Sequence, residues 1–158
     1  MNDARGTRIL VVDDSEEIRG LLEIALGGVG YDVSLAEHGW AALARVKDDS
    51  PDLILLDVQM PGMDGFETLK RLKAIEGCSD IPVLFLTAET SMEGVVAGLG
   101  LGALDYIKKP INLRELLARV DRFVKLLHLL QPKHDRKKSQ PARQSQVLSF
   151  RDRGRSAS

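Results

Sequence analysis

The sequence predicts an α/β protein built on a doubly wound parallel sheet, and three observations carry that expectation. Short apolar runs alternate with longer segments of helical period, five times in succession, between residues 8 and 130, which is the pattern of repeated βα units. Two of the runs, Leu53 to Leu56 and Val83 to Leu86, are apolar without alternation, as in strands buried on both faces. Acidic residues stand directly after the first and third runs, as Asp13-Asp14 and Asp57, and in such sheets ligands bind at the carboxyl ends of the strands.

The elements follow in order. The first strand is Arg8 to Asp13, and the first helix starts with Ser15 as cap, Glu16 and Glu17 favouring the helix dipole, and an apolar stripe of Ile18, Leu21, Leu22 and Ala25. Gly27, Gly28 and Gly30 end it. The second strand is Asp32 to Ala36, the second helix runs from near Trp40 to Lys47, and the third strand is Leu53 to Leu56, closed by Asp57. Asp64-Gly65-Phe66-Glu67 is a capping pattern for the third helix, with Phe66, Leu69 and Leu72 on one side. Thr90-Ser91-Met92-Glu93 repeats it for the fourth, whose Gly94, Gly98, Gly100 and Gly102 predict the softest helix of the domain. The fifth strand centres on Tyr106-Ile107, and an extended fifth helix starts at Asn112 with Leu113, Leu116, Val120, Phe123, Leu127 and Leu130 at spacings of three and four. The expected architecture is a (βα)5, flavodoxin-like sandwich with strand order 2-1-3-4-5, in which strands one and three are neighbours at the switch point.

Composition bounds the rest. A length of 158 residues at 44% hydrophobic supports one domain with a packed core. No apolar run reaches the roughly 18 residues of a membrane span, and the N-terminus lacks a signal-peptide core, so the expectation is a cytoplasmic protein without membrane contact. The single Cys78 has no disulfide partner within the chain, and His38, His128 and His134 show no ligand spacing. Charge is divided unevenly. Residues 131–158 carry eight Lys/Arg against Asp135 and Asp152, a net of +6, which leaves 14 basic and 21 acidic residues in the first 130, a net of −7. The expected organisation is a flexible N-terminus at 1–6, a folded domain at 7–130 and a basic tail at 131–158 that cannot bury enough apolar surface to order itself.

Three carboxylates gathered at one sheet edge require compensation. Two unpaired carboxylates about 4 Å apart repel by roughly 4 kcal/mol at an effective dielectric near 20, so such a cluster points to a hard divalent cation with oxygen ligands. Thr87 and Lys109 follow the fourth and fifth apolar runs and belong to the same edge.

The segments Ile-Leu-Val-Val-Asp-Asp-Ser (9 to 15), Leu-Ile-Leu-Leu-Asp-Val-Gln-Met-Pro-Gly-Met-Asp-Gly (53 to 65), Leu-Thr-Ala (86 to 88) and Gly-Ala-Leu-Asp-Tyr-Ile-Lys-Lys-Pro (102 to 110) together resemble a response-regulator receiver domain of two-component signalling, over about residues 7 to 127. Four motifs in the right order at the right strand ends make the resemblance specific. It implies that Asp57 is the nucleophile that accepts a phosphoryl group from a histidine kinase or phosphotransfer protein. It also implies that Asp14, Asp57 and the backbone carbonyl of Gln59 bind Mg²⁺, with Asp13 acting partly through metal-bound water; Mn²⁺ is expected to substitute. Lys109 would supply a second positive centre and Thr87 a hydroxyl hydrogen bond. Thr87 and Tyr106 would form the switch that alters the face of helix four, strand five and helix five. Ala88 would leave the phosphoryl path open, and the Lys109-Pro110 bond would be cis. Ile111 departs from the Phe common after Lys-Pro, and Gln59 and Glu89 flank the site where they influence phosphoryl lifetime.

The resemblance makes this a signalling switch that catalyses its own phosphorylation and dephosphorylation rather than an enzyme acting on other substrates. A Mg²⁺-dependent phosphohydrolase is the alternative from a different class, and the chain lacks an Asp-x-Asp-x-Thr nucleophile loop. Downstream, the expectation is a protein partner or a separate output module, with a possible homodimer through helix five. Nucleic acid is an unlikely partner: Phe150 is the tail's one aromatic, short of the stacking residues of a single-strand binder. The remaining alternative is a basic tail that binds a polyanion with release of counterions.

Overall fold

A computed structural model describes residues 6–88 and 92–130. β1 (Arg8–Val12) pairs in parallel with β2 (Asp32–Ala36) on one side and β3 (Leu53–Asp57) on the other; β4 (Val83–Thr87) and β5 (Asp105–Lys108) complete a five-stranded sheet in the order β2-β1-β3-β4-β5. The helices are α1 (Glu16–Gly28), α2 (Gly39–Asp49), α3 (Gly65–Lys73), α4 (Met92–Gly100) and α5 (Leu113–Leu130). The expected doubly wound architecture and strand order are therefore present. The chain divides at Asp121: Met1–Asp121 forms one unit and Arg122–Ser158 a second, whose described part is the end of α5.

Alternation along the strands sorts the core. Leu10, Val12, Ile54, Leu56, Val83 and Phe85 join Ala42 and Val46 of α2 and Leu69 and Leu72 of α3 in one buried cluster. Their strand neighbours Ile9, Val11, Leu53, Leu55, Leu84 and Leu86 are buried as well and, by the two-residue period of a strand, point to the opposite face. That double burial explains the uninterrupted apolar runs.

Local chemistry sets most boundaries where the sequence placed them. Ser15 accepts from the Ile18 amide at 3.2 Å, Asp64 from Glu67 at 2.9 Å and Asn112 from Glu115 at 3.0 Å, each satisfying an amide that lacks an intrahelical partner. α2 is longer than expected at both ends. His38 Nδ1 accepts from the Ala41 amide at 3.0 Å and caps it, and Ser50 in the left-handed conformation (φ 48°) stops it. β1 ends at Val12 rather than Asp13 because the Asp13 carboxylate folds forward to accept from the Ser15 amide at 2.9 Å. α1 runs through Gly27 and Gly28, and Gly30, at φ 110°, makes the turn into β2. The proposed cap Thr90-Ser91, Glu89, residues 1–5 and the tail 131–158 lie outside the described residues. For Gly98 the structure gives a packing reason: a Cβ there would stand 3.0 Å from the Phe85 ring, which meets Phe66 edge-on at 5.3 Å between centroids. Among the described residues no helix is long and apolar enough to cross a membrane.

Candidate functional site

Strand register determines what reaches the carboxyl edge of the sheet. Val12 lies opposite Leu56, Asp57 opposite Leu86, and Thr87 opposite Lys108. Asp13, Asp57, Thr87 and Lys109 are thus brought level at the ends of β1, β3, β4 and β5. Asp14 follows Asp13 and is exposed, whereas Asp13, Asp57 and Thr87 are buried.

The carboxylates converge. Ligand oxygens of Asp13, Asp14 and Asp57 lie within 4.8 Å of one another. Lys109 Nζ stands 2.9 Å from Asp13 Oδ2 and 3.2 Å from Asp57 Oδ1. Asp57 Oδ1 also accepts from the Gln59 amide at 3.2 Å. Lys109 Nζ donates a hydrogen bond to Asp57 Oδ1 and pairs with Asp13 Oδ2, while Asp57 Oδ2 is buried with no hydrogen-bond partner. Buried polar oxygens are ordinarily satisfied. The partnerless Asp57 Oδ2, an Asp13 Oδ2 met by the shared Lys109, and a third carboxylate form an all-oxygen donor set that fits a hard divalent ion.

Electrostatics point the same way. Burial first, and then the neighbouring Asp13 charge, push the Asp57 carboxyl from an ordinary 3.8 up to about 6, against the opposing pull of Lys109 and the Gln59 amide. Burial works to lower the Lys109 pKa, but the close Asp13 and Asp57 carboxylates outweigh it and leave it raised. One ammonium does not neutralise the group.

Thr87 and Tyr106 line a common pocket with Val58, Phe66, Phe85, Gly98 and other residues of α4. Tyr106 is half-buried on β5 and Ala88 is exposed. The Lys109-Pro110 bond is cis, as the resemblance implies, and the Lys109 amide donates to Thr87 O at 2.8 Å.

A family model for the response regulator receiver domain matches residues 9–121. The chain belongs to the response regulator receiver family. This receiver is 44% identical over 118 residues to the DNA-binding response regulator MtrA of Mycobacterium tuberculosis, covering 75% of this chain and 50% of that protein. It is 41% identical over 145 residues to the response regulator MprA of Mycobacterium leprae, covering 92% of this chain and 58% of MprA. The chain therefore spans about half the length of these curated relatives. Among solved structures, the chemotaxis response regulator CheY4 of Vibrio cholerae superposes with a TM-score of 0.70 at 38% identity, covering 73% of this chain and 97% of that one. Receivers of this family are phosphorylation-dependent signalling switches, and the acidic cluster of this one is compatible with the family's Mg²⁺ site.

Sequence reasoning singled out every carboxylate of the cluster but missed residues that support it. Arg19 Nη1 donates to the Asp13 carbonyl at 2.8 Å, and Arg119 Nη1 to the Tyr106 carbonyl at 2.7 Å. Gly65 packs so closely on the acceptor strand that a Cβ would collide with Asp57 O and lie 2.8 Å from Val58 Cα. The available signal for Gly65 was its place directly after the Asp64 cap.

Proposed function

We propose that this receiver accepts a phosphoryl group from a phosphohistidine donor onto Asp57. The observation that carries the reading is the convergence of Asp13, Asp14 and Asp57 around a buried Asp57 Oδ2 that has no hydrogen-bond partner, with Lys109 alongside. A carboxylate oxygen of Asp57 attacks phosphorus while the phosphorus–nitrogen bond to the donor imidazole breaks, its electron pair leaving with the imidazole. The product is an acyl phosphate. At pH 7.5 an Asp57 pKa near 6 leaves the nucleophile mostly ionised. Asp13, Asp14, Asp57 and the Gln59 carbonyl would hold Mg²⁺, which neutralises phosphoryl oxygens, and Mn²⁺ would serve in its place. Lys109 supplies a fixed positive charge, since phosphoryl transfer needs positioning and charge compensation above all. By the same chemistry run on water, the domain catalyses its own dephosphorylation.

In the switch reading, the Thr87 hydroxyl turns toward the phosphoryl group and Tyr106 moves into the pocket between β4 and α4. The face of α4, β5 and α5 then changes for a downstream protein. The receiver domain spans residues 7–130, and the protein works in the cytoplasm. A homodimer through α5 is supported by exposed Leu126, Leu129 and Leu130. The expectation that nucleic acid is an unlikely partner gains nothing from the relatives, because MtrA is named as DNA-binding. A salt-dependent polynucleotide affinity that vanishes on deleting residues 132–158 would assign that role to the tail.

Incubation with Mg²⁺ and a small acyl phosphate tests the acceptor reading. One phosphoryl group per chain, lost in Asp57→Asn, is the expected result. Rapid multiple turnover of phosphate esters would favour a phosphohydrolase instead.

A further inference from the structure

Arg19 is the one arginine in the first turns of α1, and its placement runs against helix electrostatics. A cation near a helix N-terminus opposes the macrodipole by roughly 0.3–1 kcal/mol, and Glu16 and Glu17 already supply the favoured charge there. The side chain is partly buried and reaches back past the Ser15 cap, where Nη1 donates to the Asp13 carbonyl at 2.8 Å. The Arg19 amide donates to Ser15 O at 3.0 Å. That backbone bond is the ordinary helical bond to the cap, so it is the side chain that ties the helix to the strand end.

Asp13 is held at four atoms. Its amide donates to Ala36 O at 3.2 Å, its Oδ1 accepts from the Ser15 amide at 2.9 Å, its Oδ2 faces Lys109 at 2.9 Å, and its carbonyl takes the Arg19 hydrogen bond. The first fixes the peptide before Asp13 and the last fixes the peptide between Asp13 and Asp14. That second peptide sets where the exposed Asp14 carboxylate points. We infer that Arg19 is a positioning residue, holding the Asp13–Asp14 peptide so that both carboxylates face Asp57 and a divalent cation binds with an ordered donor set. The inference rests on the cation-site reading above and deepens it.

Charge and position predict opposite signs. Arg19 contacts a carbonyl rather than a carboxylate, so its charge only repels an incoming cation. If charge were its whole effect, removing it would tighten Mg²⁺ binding. If it positions the peptide, removing it loosens binding, and partners that orient metal ligands are typically worth about 10- to 100-fold in affinity.

Calorimetric titration of the full chain with Mg²⁺ decides between them. Arg19→Ala is expected to weaken Mg²⁺ affinity about tenfold relative to wild type, with the metal-free melting temperature little changed. Arg19→Lys, which keeps a donor and the charge, is expected to fall between the two. Affinity in Arg19→Ala within about twofold of wild type, or tighter, overturns the inference; if that variant does not fold, wild-type affinity in Arg19→Lys overturns it equally. Asp57→Asn is the control for the underlying reading: if wild type binds no Mg²⁺, or Asp57→Asn binds it undiminished, the cation site itself is wrong and the role of Arg19 falls with it.

Discussion

Lys109 Nζ lies closer to Asp13 Oδ2, at 2.9 Å, than to the proposed acceptor Asp57, at 3.2 Å. The lysine is thus shared between two buried carboxylates. Removing it leaves both without their cation, and breaking a buried pair from one side costs on the order of 3–5 kcal/mol. Lys109→Ala is expected to destabilise the metal-free protein by about 3 kcal/mol at pH 7.5, and by less at pH 5, where a carboxyl can protonate. Urea unfolding at both pH values checks it; an equal loss at each would contradict the shared-charge picture.

The raised Asp57 pKa has a sign that stability measurements can read. The folded value, about 6, lies above the ordinary 3.8, so the folded state binds the proton more tightly than the unfolded chain. The associated stabilisation is complete below pH 3.8 and is lost as pH rises through 6. At about 1.4 kcal/mol per pH unit, the loss reaches up to roughly 3 kcal/mol. In chelator, Asp57→Asn is expected to gain stability over wild type across this window and to exceed it at pH 7. Parallel stability curves for the two proteins would count against the electrostatic account.

Gly65 is expected to tolerate no side chain. A Cβ would collide with Asp57 O and crowd Val58 Cα at 2.8 Å, and backbone neighbours cannot rotate away. Gly65→Ala should destabilise by about 1–3 kcal/mol and slow phosphorylation from a small acyl phosphate, because the collision displaces the acceptor's own peptide. A variant as stable and as readily phosphorylated as wild type would show that the β3–α3 connection is free to shift.

Two other glycines should behave differently. Gly20 in α1 has open space where a Cβ would stand, whereas Gly98 in α4 has the Phe85 ring at 3.0 Å. Gly20→Ala is expected to stabilise by roughly 1 kcal/mol through helix propensity. Gly98→Ala should show no such gain, since the ring must yield. Thermal melts of the two variants separate propensity from packing; equal gains would remove the packing reason for Gly98.

The fold was legible because its central strands are buried on both faces: Leu53 to Leu56 and Val83 to Leu86 admit no other reading once helical periods flank them. The acid cluster was legible because carboxylates at consecutive strand ends are costly unless used. The sharing of Lys109 between Asp13 and Asp57 was not, since contacts that differ by a few tenths of an ångström depend on side-chain rotamers. Arg19 was hidden for a related reason: the target of a long side chain is a carbonyl whose direction the turn alone decides. His38 shows no ligand spacing and is half exposed, yet it caps α2 through Nδ1, a structural role that residue type does not advertise.

The central claim is that Asp57 is the phosphoryl acceptor. Phosphorylation with a small acyl phosphate and Mg²⁺, followed by borohydride reduction and peptide mass analysis, locates the acyl phosphate directly. The account predicts a single modified residue, Asp57, with none in Asp57→Asn. Modification at a different carboxylate, or a wild-type chain left unmodified, would contradict it.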